Sequence, residues 1–320
     1  MDKNQFRNDT IQILIAVVIL ALLPLLFRGA YQLRVLNLFL LFMLITIGFN
    51  LIFGHTNQLF LCQGALAGSS MYVSGLLALN YGIEPWLVIP LGTLLAGGLA
   101  AFFSFIAVAR KLEAIFLGIT TLSFQLIFQN LIVGLRDITG ADIGFIPPEL
   151  SLGPLTSLLG RSQAYYYLLI IILVVTLLIY RSVMNSNIGL ALKMILDDEM
   201  ASEIVGVNVR RVKITMAFAG AMLIGFTGAL YGFFNAYVAP SLYEFTSLDI
   251  IVLIMLIFGG KATILGPIVG AGVFTILNEI LRPLGPLTVL AYGVVLMILF
   301  IFFREGIIPW IKNKTKLPLI

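Results

Sequence analysis

The sequence predicts an all-α integral membrane protein, a polytopic bundle of nine or ten transmembrane helices. Of its 320 residues, 60% are hydrophobic and only 11% are charged, whereas a soluble domain carries about 25% charged residues. Lipid solvates apolar side chains directly, but the backbone must then bond to itself, so spans are helices or a closed barrel. The apolar runs are about 20 residues long and do not alternate with polar residues, which favours helices.

Ten apolar segments approach the roughly 20 residues that a helix needs to cross a bilayer. They lie near 10–28, 33–53, 59–80, 86–109, 114–134, 164–184, 213–235, 247–259, 264–281 and 286–303. The eighth and ninth are short and are separated by glycines, so that pair could instead be one broken or re-entrant element. The prediction is therefore a single transmembrane domain over residues 1–320.

The placement of Lys and Arg predicts the orientation, because cytoplasmic loops carry the excess of these residues. With the N-terminus inside and ten spans, fourteen of the 19 basic residues fall on the inner side and five on the outer side. Both termini are then cytoplasmic, and the net charge of +4 is mainly a topogenic signal.

Several classes of site are excluded by residues that the chain lacks. It has one cysteine, Cys62, and one histidine, His55, so neither a disulfide framework nor a zinc hydrolase site is expected. No phosphate-binding G-x-x-x-x-G-K-[ST] motif occurs. We therefore expect no enzyme, no metal and no cofactor, and any ATPase that drives the protein must be a separate chain.

Two loops are long enough to carry a function. The external loop, 135–163, is rich in Gly and Pro, which predicts turns and a short surface helix. The cytoplasmic loop, 185–212, contains an acidic run, Asp197, Asp198 and Glu199, followed by Glu203. Apolar residues recur beside these acids at helical spacing, at Ile195, Met200, Ile204 and Val207.

The cytoplasmic loop thus predicts one amphipathic helix over 189–206, ended by Gly206 as a left-handed cap. A helix that lies on a membrane surface usually has a basic polar face, whereas this face is acidic. A protein partner is therefore the favoured occupant.

Polar side chains within the spans are candidates for a transport pathway, because buried polar groups in membranes are costly and usually face a partner or a wet cavity. For the amides, hydrogen bonds between helices are at least as plausible as contact with a substrate. The candidates are Asn50, Gln58, Gln63 and Gln125.

The cytoplasmic loop resembles that of LivM-type permeases, the membrane subunits of ABC importers for branched-chain amino acids, whose relatives take up urea or short amides. The matching positions are Gly189, Ala191, Leu192, Ile195, Asp197, Asp198, Glu199, Ala201, Glu203, Gly206, Val207, Asn208, Val209 and Lys213. Further blocks agree in the same order at 50–54, 58–59, 114–122, 139–144 and 259–267. The block at 57–64 departs most from the family, which leaves the substrate open between an amino acid and another small solute.

The resemblance implies an ABC importer permease fold with four kinds of partner: a second homologous permease, two cytosolic ATPase subunits, an external binding protein and membrane lipid. It implies that the 189–206 helix couples to the ATPase through Gly189, Asp197, Asp198, Glu199, Glu203 and Gly206. The expected location is the bacterial inner membrane. The alternative is a stand-alone channel or secondary transporter for a small solute such as urea.

Overall fold

The structure is a computed structural model that describes residues 16–24, 27, 29–153, 156, 159–281, 283, 287, 293, 294, 297 and 306–315. The helix bounds are α1 Ala30–Phe49, α2 Gln63–Tyr81, α3 Pro85–Ala109, α4 Ala114–Gly134, α5 Arg136–Thr139, α6 Arg161–Met184, α7 Asn187–Asp197, α8 Glu199–Ile204, α9 Val209–Asn235, α10 Ile250–Gly259, α11 Gly266–Leu281 and α12 Ile307–Thr315. A helical stretch at 16–24 precedes α1.

The all-α membrane architecture is confirmed. In the part of the chain that the structure describes, five helical segments are long and apolar enough to cross a bilayer: Ala30–Gly54, Pro85–Ala109, Ala114–Gly134, Arg161–Met184 and Val209–Asn235. Within the described ranges no β-strand forms, and a single bridge pairs Phe145 with Val238. The predicted span at 286–303 falls almost wholly outside the described residues.

Two segments depart from regular α-helix next to α1 and α10. A π-helical turn, Asn50–Gly54, continues α1, and a second one, Phe245–Asp249, leads directly into α10. The predicted short eighth and ninth spans are two separate helices, α10 and α11. Because α10 has only 10 residues, at 1.5 Å per residue it covers about half of the hydrocarbon thickness.

The chain divides into two compact units. Unit 1 comprises Met1–Met43, Pro154–Tyr180 and Leu253–Ile320, and unit 2 comprises Leu44–Gly153 and Arg181–Val252. In unit 1, α10 and α11 approach so closely that a β-carbon on Gly270 would overlap the carbonyl of Met255. The turn between them is closed by Thr263, whose hydroxyl donates to Gly260 O (2.8 Å) and accepts from the N–H of Gly266 (3.0 Å).

Unit 2 has a core in which α2, α3 and α9 pack against one another. Small residues form these contacts: a β-carbon built on Gly228 of α9 would lie 2.5 Å from the Cα of Ala67 in α2. Lipid gives helices no hydrophobic drive to associate, so close backbone approach through small residues supplies the packing energy.

We expect Gly228→Ala to lower the melting temperature of the purified protein in detergent, because the added methyl group forces α2 and α9 apart at a cost of about 1–3 kcal/mol. Gly98→Ala is the matched control, since a β-carbon on Gly98 of α3 has no neighbour within 4 Å. Its melting temperature should stay unchanged or rise, because Ala favours helix over Gly. Equal melting temperatures of the two variants would contradict this packing.

Candidate functional site

The cytoplasmic loop folds as two helices, α7 and α8, where the sequence predicts one. Helix α7 starts at a side-chain cap, in which Ser186 Oγ accepts from the N–H of Ile188 at 3.2 Å. Gly189 lies against the end of α6, and a β-carbon there would overlap the carbonyl of Met184. Only glycine allows α7 to turn away so tightly from the preceding helix.

The single predicted helix over 189–206 is wrong because Asp198 interrupts it. Asp198 has extended backbone angles (φ −158°, ψ 116°), and its carboxylate accepts from the N–H of Ala201 at 3.0 Å, which caps α8. Aspartate is one of the preferred residues at the N-cap position of a helix. The apolar stripe is consequently divided: Ile195 is 5% exposed, whereas Met200 and Ile204 are 76% and 86% exposed.

The four predicted acids have three different environments. Asp198 is the cap of α8, and Glu199 forms an ion pair with Lys213 of α9 at 2.5 Å. Asp197 and Glu203 are exposed. The two acids with bonding partners inside the protein hold α8 in place, and the other two present their charge to solvent.

Gly206 ends α8 as the sequence predicts. It has φ +94°, its N–H donates to Glu203 O at 3.0 Å, and the N–H of Val207 donates to Ser202 O at 3.0 Å. These two bonds form a Schellman motif, the common glycine-dependent end of a helix.

A cavity of about 310 Å³ separates α8 from the ends of α3 and α4. It is lined by Met200 and Glu203 of α8 together with Gln58 and Lys111. Gln58 is one of the predicted pathway residues; it is buried and hydrogen-bonded to Ser104 of α3 (Gln58 Nε2 to Ser104 Oγ, 2.9 Å). A movement of α8 therefore changes the shape of the cavity that Gln58 lines.

His55 lies just after the span Ala30–Gly54, and the positive charge of Lys193 in α7 acts on its imidazole. Burial and the ammonium group of Lys193 lower the pKa of His55 to about 4. The side chain is therefore neutral near pH 7, which suits a buried position beneath α7.

Predicted pathway residues Gln63 and Gln125 meet in unit 2, at the start of α2. The first N–H groups of a helix have no intrahelical partner, and here two other segments supply the acceptors. The carboxyl group of Asp249 accepts from the N–H of Gln63 (2.5 Å) and of Gly64 (3.1 Å), and Gln125 Oε1 accepts from the N–H of Ala65 (2.5 Å). Gln125 Nε2 donates in turn to the Tyr243 carbonyl at 2.7 Å.

This cluster lies near the middle of a membrane span, since Gln125 is about halfway along the 21 residues of α4. The chain on either side is irregular: Cys62 precedes α2 without a side-chain cap, and Asp249 ends the π-helical turn before α10. Interrupted helices whose ends meet at mid-membrane are a common way to build solute sites in transporters.

Asp249 is a candidate site residue that the sequence pattern did not predict. An acid at the start of an apolar run looks like an ordinary helix cap, and its partners are 185 and 186 residues away. The remaining predicted pathway residue, Asn50, is buried in the π-helical turn after α1.

The sequence of this chain is similar to those of known transport proteins. Residues 31–303 match the family described as "Branched-chain amino acid transport system / permease component". Two relatives are the high-affinity branched-chain amino acid transport system permease proteins LivM of Escherichia coli (strain K12) and Salmonella typhimurium, which are 23% and 22% identical to this chain. Each alignment covers 91% of this chain and 72% of the relative. No solved structure matches significantly.

The family match covers most of the chain, so the resemblance seen in the cytoplasmic loop is confirmed. The apolar helices agree with a multi-pass membrane protein. The chain belongs to the family of permease components of branched-chain amino acid transport systems.

Proposed function

We propose that this chain is the transmembrane permease subunit of an ABC importer that carries branched-chain amino acids across the bacterial inner membrane. Separate ATPase subunits drive it by engaging α7 and α8. The observation that carries the proposal is the exposed apolar surface of these helices: Leu190, Met200 and Ile204 are 61%, 76% and 86% exposed. An apolar surface outside the spans marks an interaction site.

The connections of α7 and α8 suit the transmission of force. At one end Gly189 lies against the last turn of α6, and at the other the ion pair between Glu199 and Lys213 joins α8 to α9. Helix α9 packs in turn on α2 and α3. A partner that pushes α8 therefore acts on α9, and through it on the helix whose start holds the Asp249–Gln125 cluster.

The proposed assembly contains a second homologous permease, two cytosolic ATPases and an external binding protein, with both termini of this chain in the cytoplasm. The two LivM relatives are permeases of branched-chain amino acid transport systems, which supports that substrate class. A stand-alone channel or secondary transporter for a solute such as urea remains the alternative, and it leaves the exposed apolar surface of α8 without a role.

We expect L-leucine uptake into proteoliposomes only when this chain is co-reconstituted with its ATPases, partner permease and binding protein and ATP is supplied. Uptake of L-leucine or urea by the chain alone, without ATP, would support the alternative and refute the proposed function. Radiolabelled solute retained by the vesicles is the measurement.

Ile204→Asp should weaken co-purification of the ATPase subunits by about tenfold, because a charge placed in an apolar contact typically costs 1–2 kcal/mol or more. Ile143→Asp is the control, since Ile143 is 80% exposed but lies on the predicted external loop. Quantitative pull-down and ATP hydrolysis stimulated by the binding protein are the readouts. Equal losses in both variants would argue against docking on α8.

Charge reversal at the exposed acids tests whether their charge contributes to ATPase association, without changing the helix caps. Asp197→Lys and Glu203→Lys change exposed carboxylates and should reduce ATPase association, with a larger effect at low ionic strength because salt screens exposed charges. Asp198→Asn serves as the comparison, because asparagine caps a helix as well as aspartate does; association should stay near wild type. Normal transport by the Asp197→Lys, Glu203→Lys double variant would exclude an electrostatic role for these acids.

A further inference from the structure

Among the described residues of unit 2, six buried side-chain polar atoms have no hydrogen-bond partner, and three of them belong to α2: Oε1 of Gln63 and the hydroxyls of Ser70 and Tyr72. Gln63 and Tyr72 are 0% and 3% exposed. Buried polar atoms in proteins are nearly always paired, so each exception needs an explanation such as an absent water or ligand. Gln63 is the residue whose N–H binds Asp249.

Asp249 adds a buried carboxyl group to the same place. The residue is fully buried, and among the described residues no Lys, Arg or His forms an ion pair with it. Its only polar partners given by the structure are backbone N–H groups. A buried carboxylate within a membrane is costly and marks a functional site. The same residue, Gln63, carries the unpaired Oε1, so within the described residues the start of α2 offers acceptors and no cation.

An aromatic wall lies just over two turns further along α2. The ring of Tyr72 contacts those of Phe128, Phe145 and Tyr243, with centroids 6.3, 5.7 and 6.5 Å away. Between this wall and Asp249 lies Gly68, whose added β-carbon would come within 2.8 Å of the Phe128 ring. A polar end and an apolar end therefore follow each other along one face of α2.

We propose that this face is an internal binding site for a zwitterionic amino acid with a branched aliphatic side chain; the inference rests on the proposed function. The α-ammonium group binds Asp249 and Gln63 Oε1. The α-carboxylate takes the N–H groups of Gln63 and Gly64, which Asp249 occupies in the present conformation. The side chain lies against Tyr72, Phe128 and Tyr243.

The exchange keeps Asp249 and the N–H groups of Gln63 and Gly64 paired at both stages, and Gln63 Oε1 gains a partner when the substrate binds. Without substrate, Asp249 satisfies the exposed N–H groups at the start of α2. With substrate, the incoming carboxylate takes over those N–H groups, and the ammonium group satisfies Asp249. This matters because an unpaired buried polar group costs about 1–3 kcal/mol, and a charged one more.

The described conformation is the closed one. A β-carbon on Gly64 would come within 2.8 Å of Gln125 Nε2 and 2.9 Å of Asp249 Oδ2, so no space remains for a substrate. Entry requires the segment that carries Tyr243 and Asp249 to separate from α2. That segment consists of a 3-10 turn, Pro240–Tyr243, and a π-helical turn, Phe245–Asp249, and such departures from α-helix often occur at functional hinges.

The test uses the complete transporter, purified with its co-produced partners and placed in lipid nanodiscs without the binding protein. Binding of radiolabelled L-leucine is measured and competed with unlabelled L-leucine, 4-methylpentanoate, which lacks the ammonium group, and 3-methylbutylamine, which lacks the carboxylate. We expect each of the two analogues to compete at least tenfold more weakly than L-leucine. Equal competition by 4-methylpentanoate would overturn the role of Asp249, and this arm requires no variant.

Asp249→Asn should weaken leucine binding at least tenfold and reduce ATP-driven uptake accordingly. Glu244→Gln is the matched control: it neutralises another carboxylate of the same segment, whose side chain forms no capping hydrogen bond, and it should bind leucine normally. If wild-type protein fails to take up leucine with all partners present, the proposed function fails. If wild type takes up leucine and Asp249→Asn binds and transports it equally well, the internal site alone is refuted.

Discussion

The start of α2 imposes the constraint on which the rest of unit 2 depends. A helix that begins inside a bilayer exposes N–H groups that lipid cannot satisfy. Here Asp249 and Gln125 supply the acceptors from two other segments, so α4 and the chain before α10 must both reach α2 at the same depth. The close approach at Gly64 and the irregular turn that ends at Asp249 follow from this requirement.

Helix α2 also links the two candidate functional regions of unit 2. Its start carries the buried polar cluster, and its side contacts α9. Helix α9 begins beside the helix pair α7–α8 and is joined to it by the Glu199–Lys213 ion pair. An exposed pair of this kind contributes little to stability, but it fixes the position of α8 relative to α9. A force on α8 thus has a short route to the mid-membrane cluster.

The sequence predicts those features that depend on composition or on neighbouring residues. Apolar runs located the five candidate spans of the described residues, and the left-handed cap at Gly206 was recognisable because glycine adopts positive φ without strain. The break at Asp198 was missed because the apolar residues from 195 to 207 fit one continuous helix at three- to five-residue spacing. The role of Asp249 was not predictable, since its partners lie 185 residues away and only the fold brings them together.

The helix pair α7–α8 is capped by residues of its own segment. Ser186, Asp198 and Asn208 each cap the helix that follows, and the Gly206 turn closes α8. The conformation of this stretch is therefore encoded locally, and the Glu199–Lys213 pair lies within residues 186–213 as well. A segment so self-contained can vary its surface at Leu190, Met200 and Ile204 without disturbing the spans. Under the proposed function, the surface that meets an ATPase can thus change within this one segment, while the sequence of the membrane-spanning helices stays the same.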